Sequence, residues 1–251
     1  MGKAKQLIVK PISAQDANRI IKSLHYSGKV VPNSKLHFGV FLNGKCGGAM
    51  SFGSCINKKG TINLVKETGW NSFIELNRMA FADWLPRFSE SRCIAYTMRF
   101  IKKHYPHIDW VISFADGTQC GDGTIYRASG FDLVGITKNA GICKLNGKVV
   151  HIKKTYDLGL TSSFLKKSDI PKLKKKNINV EILEGFQLKY IYFIDKTARK
   201  RLTVPILPYS EIDKRGAGMY KGQTKCVVSD TSDTANFQLD KGGATPTTAH
   251  Q

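Results

Sequence analysis

Acidic residues are scarce in this chain: 19 Asp and Glu stand against 39 Lys and Arg, a formal net charge of +20. No apolar run reaches the roughly 18 residues that a membrane-spanning helix requires. The opening Met1-Gly2-Lys3-Ala4-Lys5 lacks the apolar stretch and small-residue cleavage site of a secretory leader. Gln6 stands where a myristoylation signal needs Ser or Thr. The six cysteines, at 46, 55, 93, 120, 143 and 226, contain no CxxC pair. That argues against a zinc site and, in a chain this long, against a disulfide framework. Reduced thiols and a cytoplasmic location are the expectation. There is no internal repeat.

What is present is enough apolar residue, 41% of 251, for one sizeable core. The basic excess points to a polyanionic partner, nucleic acid before membrane. Between residues 151 and 210 there are 13 Lys and Arg against 5 Asp and Glu. The densest pieces are Lys172, Lys174, Lys175 and Lys176, then Arg199, Lys200 and Arg201, all candidates for holding phosphates. A solvated lysine-rich face is the alternative. From about residue 216 the chain is rich in Gly, Ser and Thr and reads as a disordered tail.

The local patterns alternate. Residues 7–12 read as a strand, and Ser13 caps a helix over 14–24. Two strand-like runs, 36–42 and one ending near Phe52, are joined by Asn43-Gly44, the strongest short hairpin signal. A strand over 73–80 leads through Asp83–Glu90 into a helix over 91–105, with Ile94, Met98, Ile101 and Tyr105 as its apolar stripe. Ser91 is its expected N-cap. A buried-type strand over 110–115, a short helix over 124–129 and a strand over 132–136 complete an α/β domain over 1–160. Residues 161–215 are read as a basic extension that carries an aromatic strand at 186–194.

The strand, loop, long helix, strand and short helix, ending Ile125-Tyr126-Arg127-Ala128-Ser129-Gly130-Phe131, resemble the GCN5-related N-acetyltransferase fold. That resemblance implies a mixed central sheet flanked by helices, with coenzyme A pyrophosphate at the start of the long helix. Free amides and the positive helix end there attract phosphate, and Arg87, Ser91 and Arg92 add hydrogen bonds. The usual glycine-rich loop is replaced by Pro86-Arg87-Phe88-Ser89-Glu90. Finer strings are similar to the phage Mom family: His25-Tyr26-Ser27-Gly28-Lys29, Phe73-Ile74-Glu75-Leu76-Asn77-Arg78-Met79-Ala80 and Ser113-Phe114-Ala115-Asp116-Gly117-Thr118-Gln119-Cys120-Gly121-Asp122-Gly123-Thr124. The resemblance spans about residues 15–160. It implies an enzyme that converts adenine N6 in double-stranded DNA to a carbamoylmethyl form, shielding phage DNA from restriction inside a bacterial host.

The matching functional positions are Tyr26, Arg78, Ser91, Asp116 and Tyr126, with His25 adjacent. Tyr126 is either an ordinary core tyrosine or a phenol that protonates a departing thiolate. Asp116 either caps its glycine-rich turn or takes a proton from, or orients, the exocyclic amine. Arg78, costly to bury alone, either forms a structural ion pair or binds substrate or cofactor anions. Glu75 is a poor same-face partner for it, being an odd number of residues away. An acyl-CoA donor is implied, yet attack on a thioester carbonyl does not give the family's product. A redox metal such as iron is one way to supply the missing step, with His25 and Asp116 as ligands. A conventional acetyltransferase for protein, tRNA or a small amine, and a non-catalytic DNA-binding protein, are the rival readings.

Overall fold

A computed structural model of the chain describes residues 3–138, 142–151, 170–220 and 223–224. In chain order the elements are β1 (Ile8–Pro11), α1 (Ala14–Leu24), β2 (Ser34–Leu42), β3 (Lys45–Gly53), the single turn α2 (Lys58–Thr61) and β4 (Phe73–Phe81). Then come α3 (Ser89–His104), β5 (Trp110–Asp116), α4 (Thr124–Ala128), β6 (Asp132–Lys138), β7 (Ile142–Leu145) and β8 (Lys148–His151). The chain continues with α5 (Ile170–Lys175), β9 (Val180–Ile182), β10 (Phe186–Phe193), α6 (Ser210–Lys214), β11 (Met219–Tyr220) and β12 (Gln223–Thr224).

Seven strands form the central sheet in the order β1-β2-β3-β4-β5-β10-β6. Every neighbour pair is antiparallel except β4 with β5. This is the mixed sheet that the alternating patterns predict. The hairpin between β2 and β3 turns on Asn43 and Gly44, both at positive φ, the geometry that favours Asn-Gly. Ser13 caps α1 by accepting the Asp16 amide at 3.1 Å. That helix buries Ala17 and Ile21 against Ala49 and Ala80 of the sheet. On the other face α3 buries Cys93, Ile94, Thr97, Met98 and Ile101, a stripe at the helical repeat.

Several expectations are corrected. Tyr105 falls outside that stripe and is exposed, because α3 ends at His104. The helix also begins earlier: Phe88 takes the left-handed conformation at its start and Ser91 lies in its first turn, donating to the Phe88 carbonyl at 3.3 Å rather than capping. Division of the chain at residue 160 does not follow the sheet. Strand β10 pairs over seven residues with β5 and over six with β6, so residues 186–193 are a central strand, not part of an appendage. What stands apart is a small three-stranded sheet, β8-β7-β9, whose core is Cys143, Leu173 of α5 and Val180. The tail expected from 216 does not begin there, since Ala217 and Met219 are buried and β11 pairs with β12; residues 225–251 and the boundary near 160 lie outside the described residues.

Trp110 anchors the parallel pair. Its ring is fully buried, stacks on Phe73 at 4.3 Å between centroids, and donates from Nε1 to Thr68 Oγ1 at 3.1 Å. Trp110→Ala is expected to cost about 3–5 kcal/mol of unfolding free energy. A denaturant midpoint unchanged in that variant contradicts the packing.

Candidate functional site

Strands β4 and β5 are in register only over Phe73–Glu75 and Trp110–Ile112. Beyond those residues they part, and a cavity of about 600 Å³ opens in the gap. Its walls come from the second half of β4, the end of β5, the turn and start of α4, the loop after α1 and the loop after β3. The divergence leaves side chains of two strands without a neighbouring strand to cover them, so polar residues there face the cavity.

His25, Tyr26, Arg78, Asp116 and Tyr126 all line this cavity. The Arg78 guanidinium donates from Nε to the Lys29 carbonyl at 3.0 Å and from Nη1 to the Asn77 carbonyl at 2.7 Å. It thereby ties the loop that carries His25 and Tyr26 to β4. Asp116 Oδ1 accepts the Thr118 amide at 3.0 Å and Oδ2 accepts from Gln119 Nε2 at 2.9 Å. The carboxyl caps its turn and lines the cavity at once.

Tyr126 sits on α4, packed between Phe131 and Tyr190 at 5.4 and 5.3 Å between ring centroids. Its hydroxyl reaches the Ser113 side chain, and burial pushes the phenol up to about 12. It is therefore a protonated donor at neutral pH. Tyr26 is half exposed at the mouth. Packing against the wall, then the Asp116 carboxyl, raises its phenol as well.

His25 is neutral. Burial, then the Arg78 guanidinium, pushes the imidazole down to about 4. Nδ1 accepts the Ser27 amide at 3.1 Å and lies 2.8 Å from the Ser27 hydroxyl, which leaves Nε2 to carry the proton. The charged form is the one the fold disfavours, so acid weakens this loop between pH 6.5, the ordinary imidazole value, and about 4. Titration followed by NMR is expected to place the ring near pH 4, and a midpoint at 6.5 contradicts the arrangement.

The iron expectation finds no support in the geometry. Among the described residues no group of three or more His, Cys, Asp and Glu side chains is placed to hold a metal ion. The Nδ1 of His25 is already taken by Ser27, and both Asp116 oxygens accept from its own turn.

The remaining candidates lie elsewhere. Arg87 and Arg92 are exposed at the start of α3 with Ser91 between them, and none of the three lines the cavity. Lys172, Lys174 and Lys175 are exposed on α5, pinned by buried Leu173, and exposed Lys176 follows its end. Arg199 makes a two-pronged pair with Asp132, both contacts 3.0 Å. Arg201 donates to the Lys66 carbonyl at 2.6 Å and meets Asp109 at 3.6 Å. Those two arginines brace the sheet edge, and Lys200 between them is exposed.

Among the cavity residues that sequence reasoning did not assign a role are Cys55, Glu75 and Asn77. The odd spacing of Glu75 and Arg78 predicts opposite faces, but the register of β3 with β4 shifts at Asn77: Phe52 pairs with Leu76 and Ser51 with Arg78. One extra residue resets the alternation, and both side chains meet the cavity. A carboxylate inside an apolar strand was the available signal, because it demands partners when buried.

The profile of the Mom protein family matches residues 6–211. The methylcarbamoylase Mom of Escherichia phage Mu is 36% identical over 206 residues, covering 81% of this chain and 82% of that protein. An acetyltransferase of Bacillus subtilis in complex with CoA aligns with a TM-score of 0.39 at 6% identity, over 75% of this chain and 97% of that one. A spermidine/spermine N-acetyltransferase of Vibrio cholerae gives 0.43 at 9% identity, over 79% and 98%. The structural likenesses are loose, whereas the profile and the phage Mu relative each cover about four-fifths of the chain. On that ground the chain belongs to the Mom protein family.

Proposed function

We propose that this chain modifies adenine in DNA at the exocyclic N6, in the cavity between β4 and β5. The observation that carries the reading is the convergence of Tyr26, Arg78, Asp116 and Tyr126, drawn from four separate segments, on one cavity in a member of the Mom family. The phage Mu relative is named a methylcarbamoylase, and the corresponding product here is a carbamoylmethyl adenine that shields phage DNA from restriction in a bacterial host.

The surroundings support a DNA substrate. A volume of about 600 Å³ suits a base with a small transferred group. Paired adenine hides N6 in the helix, so the base is swung out to be reached. Lys58 and Lys59 lie between the lining residues Asn57 and Thr61, and exposed Ile56 and Trp70 stand beside them. Cations with apolar and aromatic side chains at a cavity mouth suit phosphates and unstacked bases. The lysines of α5 and Lys200 add to the basic surface farther off.

An acyl-CoA donor is the cofactor this reading implies, and the residues at the start of α3 fit its pyrophosphate. Two exposed guanidiniums, Arg87 and Arg92, flank the first turn, where the Ser89 and Arg92 amides bond the Pro86 and Phe88 carbonyls and those of Glu90 and Ser91 lie between them. When bound, such a donor would supply a two-carbon unit on sulfur, and the carbon that N6 bonds in a carbamoylmethyl product is the methyl-derived one rather than the thioester carbonyl. In the cavity, Asp116 is placed to orient the N6 amine and Tyr126 to give up its phenolic proton. Arg78 holds the loop that carries Tyr26 over the mouth.

Resistance to cutting tests the proposal. Plasmid DNA from bacteria expressing the chain is expected to resist restriction enzymes whose sites contain adenine, with sensitivity restored by Asp116→Ala. Digestion as complete as in cells lacking the chain overturns the reading.

A further inference from the structure

Ile56, on the loop after β3, lines the rim of the cavity and is 92% exposed, more than any other large apolar side chain among the described residues. A single apolar side chain on a surface is ordinary, so the setting decides whether this one has a task. The backbone on both sides of it is fastened. Asn33 Nδ2 donates to the Ser54 carbonyl, and Cys55 is buried in the cluster that holds Val65, Phe73 and Trp110. On the other side Asn57 caps α2: its Oδ1 accepts the Gly60 amide at 3.1 Å and its carbonyl accepts the Thr61 amide at 3.0 Å. Ile56 is thus the crest of a braced loop, held in solvent beside the cavity mouth.

The residues around that crest suit a nucleic-acid duplex. From Ser54 to Lys66 there is no acidic residue, whereas Lys58, Lys59 and Lys66 fall within the stretch, and Lys59 is exposed. Lys58 is engaged locally: Nζ lies over the Trp70 ring at 4.7 Å from its centroid and donates to Asn71 Oδ1 at 3.3 Å. That cation covers one face of Trp70, the other exposed large apolar side chain nearby, and Trp70 does not line the cavity. Ile56 therefore has the better placement to enter a base stack. A base swung out of a duplex leaves a gap walled by the apolar faces of its former neighbours. A branched aliphatic side chain fills such a gap without leaving a polar group unpaired, and apolar wedges of this type hold base steps apart.

We propose that Ile56 is the wedge that enters the duplex where the target adenine leaves it, with Lys59 set against a flanking phosphate. This rests on the cavity being the adenine site. Ile56 is then a positioning residue: it acts on the entry of the adenine and not on the chemistry at N6. Its contribution is greatest where the adenine has to be drawn out of an intact pair. A wall of the cavity that touches the base after entry is the competing role, and such a wall matters equally whether or not the adenine was paired.

The test uses the full chain in bacterial extract, which supplies the donor. It reads modification of two oligonucleotide duplexes whose target adenine faces either thymine or an abasic site, since a base without a partner is the easier to extrude. Wild type is expected to modify both. Ile56→Ala is expected to lose about tenfold to a hundredfold on the paired duplex, the burial of one isoleucine side chain converted at tenfold per ~1.4 kcal/mol. Opposite the abasic site it is expected to recover most of that loss. Ile56→Leu, which restores an aliphatic wedge, is expected to act on the paired duplex as wild type does. The melting temperature of both variants is expected to match wild type, because the side chain is exposed. Ile56→Ala as active as wild type on the paired duplex overturns the proposal. So does an equal loss on both duplexes, which assigns Ile56 to the cavity wall, and so does leucine no better than alanine. Wild type that modifies only the paired duplex overturns it without any variant, since pairing then does not resist entry. Wild type that modifies neither duplex contradicts the adenine reading itself.

Discussion

Replacement of Tyr126 by phenylalanine is expected to lower adenine modification about 10²–10⁴-fold, the range of a lost proton-transfer group. The ring that packs on Phe131 and Tyr190 stays in place. Only the hydroxyl and its contact with Ser113 are removed, a loss of about 1 kcal/mol in stability. The buried phenol, pushed up to about 12, makes the chemical effect large: it arrives protonated and has a proton to give. Nucleoside analysis beside a thermal melt separates the two effects. Full modification by a folded Tyr126→Phe protein removes this residue from the chemistry.

Gly123→Ala is expected to disrupt fold and site together, at a cost of about 2–5 kcal/mol. Gly123 opens α4 at φ 82°, a conformation that disfavours any side chain by about 1–2 kcal/mol. An added Cβ would stand 2.4 Å from the Tyr190 ring. That ring is fully buried, with its hydroxyl bonded to the Asp122 carbonyl, so it cannot swing away, and overpacking of this kind adds about 1–3 kcal/mol. Any relief by movement of α4 displaces Tyr126, three residues on. A denaturant midpoint shifted downward with modification lost is the expected pair of results, and an alanine variant as stable as wild type contradicts this geometry.

Much of the frame was legible because it is local. Asn43-Gly44 between two apolar runs needs no distant information to make a hairpin, and Ser13 before an amphipathic segment needs none to start a helix. The order of strand, helix, strand and short helix brought Arg78, Asp116 and Tyr126 to one gap. What stayed hidden depends on pairings remote in sequence. Insertion of β10 between β5 and β6 joins Tyr190 to Ser113 and Leu133, and no local pattern in an aromatic run announces its neighbours. Arg199 reads as part of a basic cluster until Asp132, 67 residues away, takes both of its prongs. The bulge at Asn77 leaves an ordinary strand pattern on either side, so an alternation rule places Glu75 and Arg78 apart where the fold brings them together. Phe88 enters the left-handed region with no side-chain cap, and nothing in its residue type marks it as the start of α3.

The proposed function stands or falls on alteration of adenine in DNA at the cavity where β4 and β5 part. Mass spectrometry of nucleosides from DNA of cells expressing the chain tests it most directly. A carbamoylmethyl deoxyadenosine is predicted, present with wild type and depleted with Asp116→Ala. Deoxyadenosine left wholly unmodified by a folded, soluble wild-type protein in a competent bacterial host contradicts it.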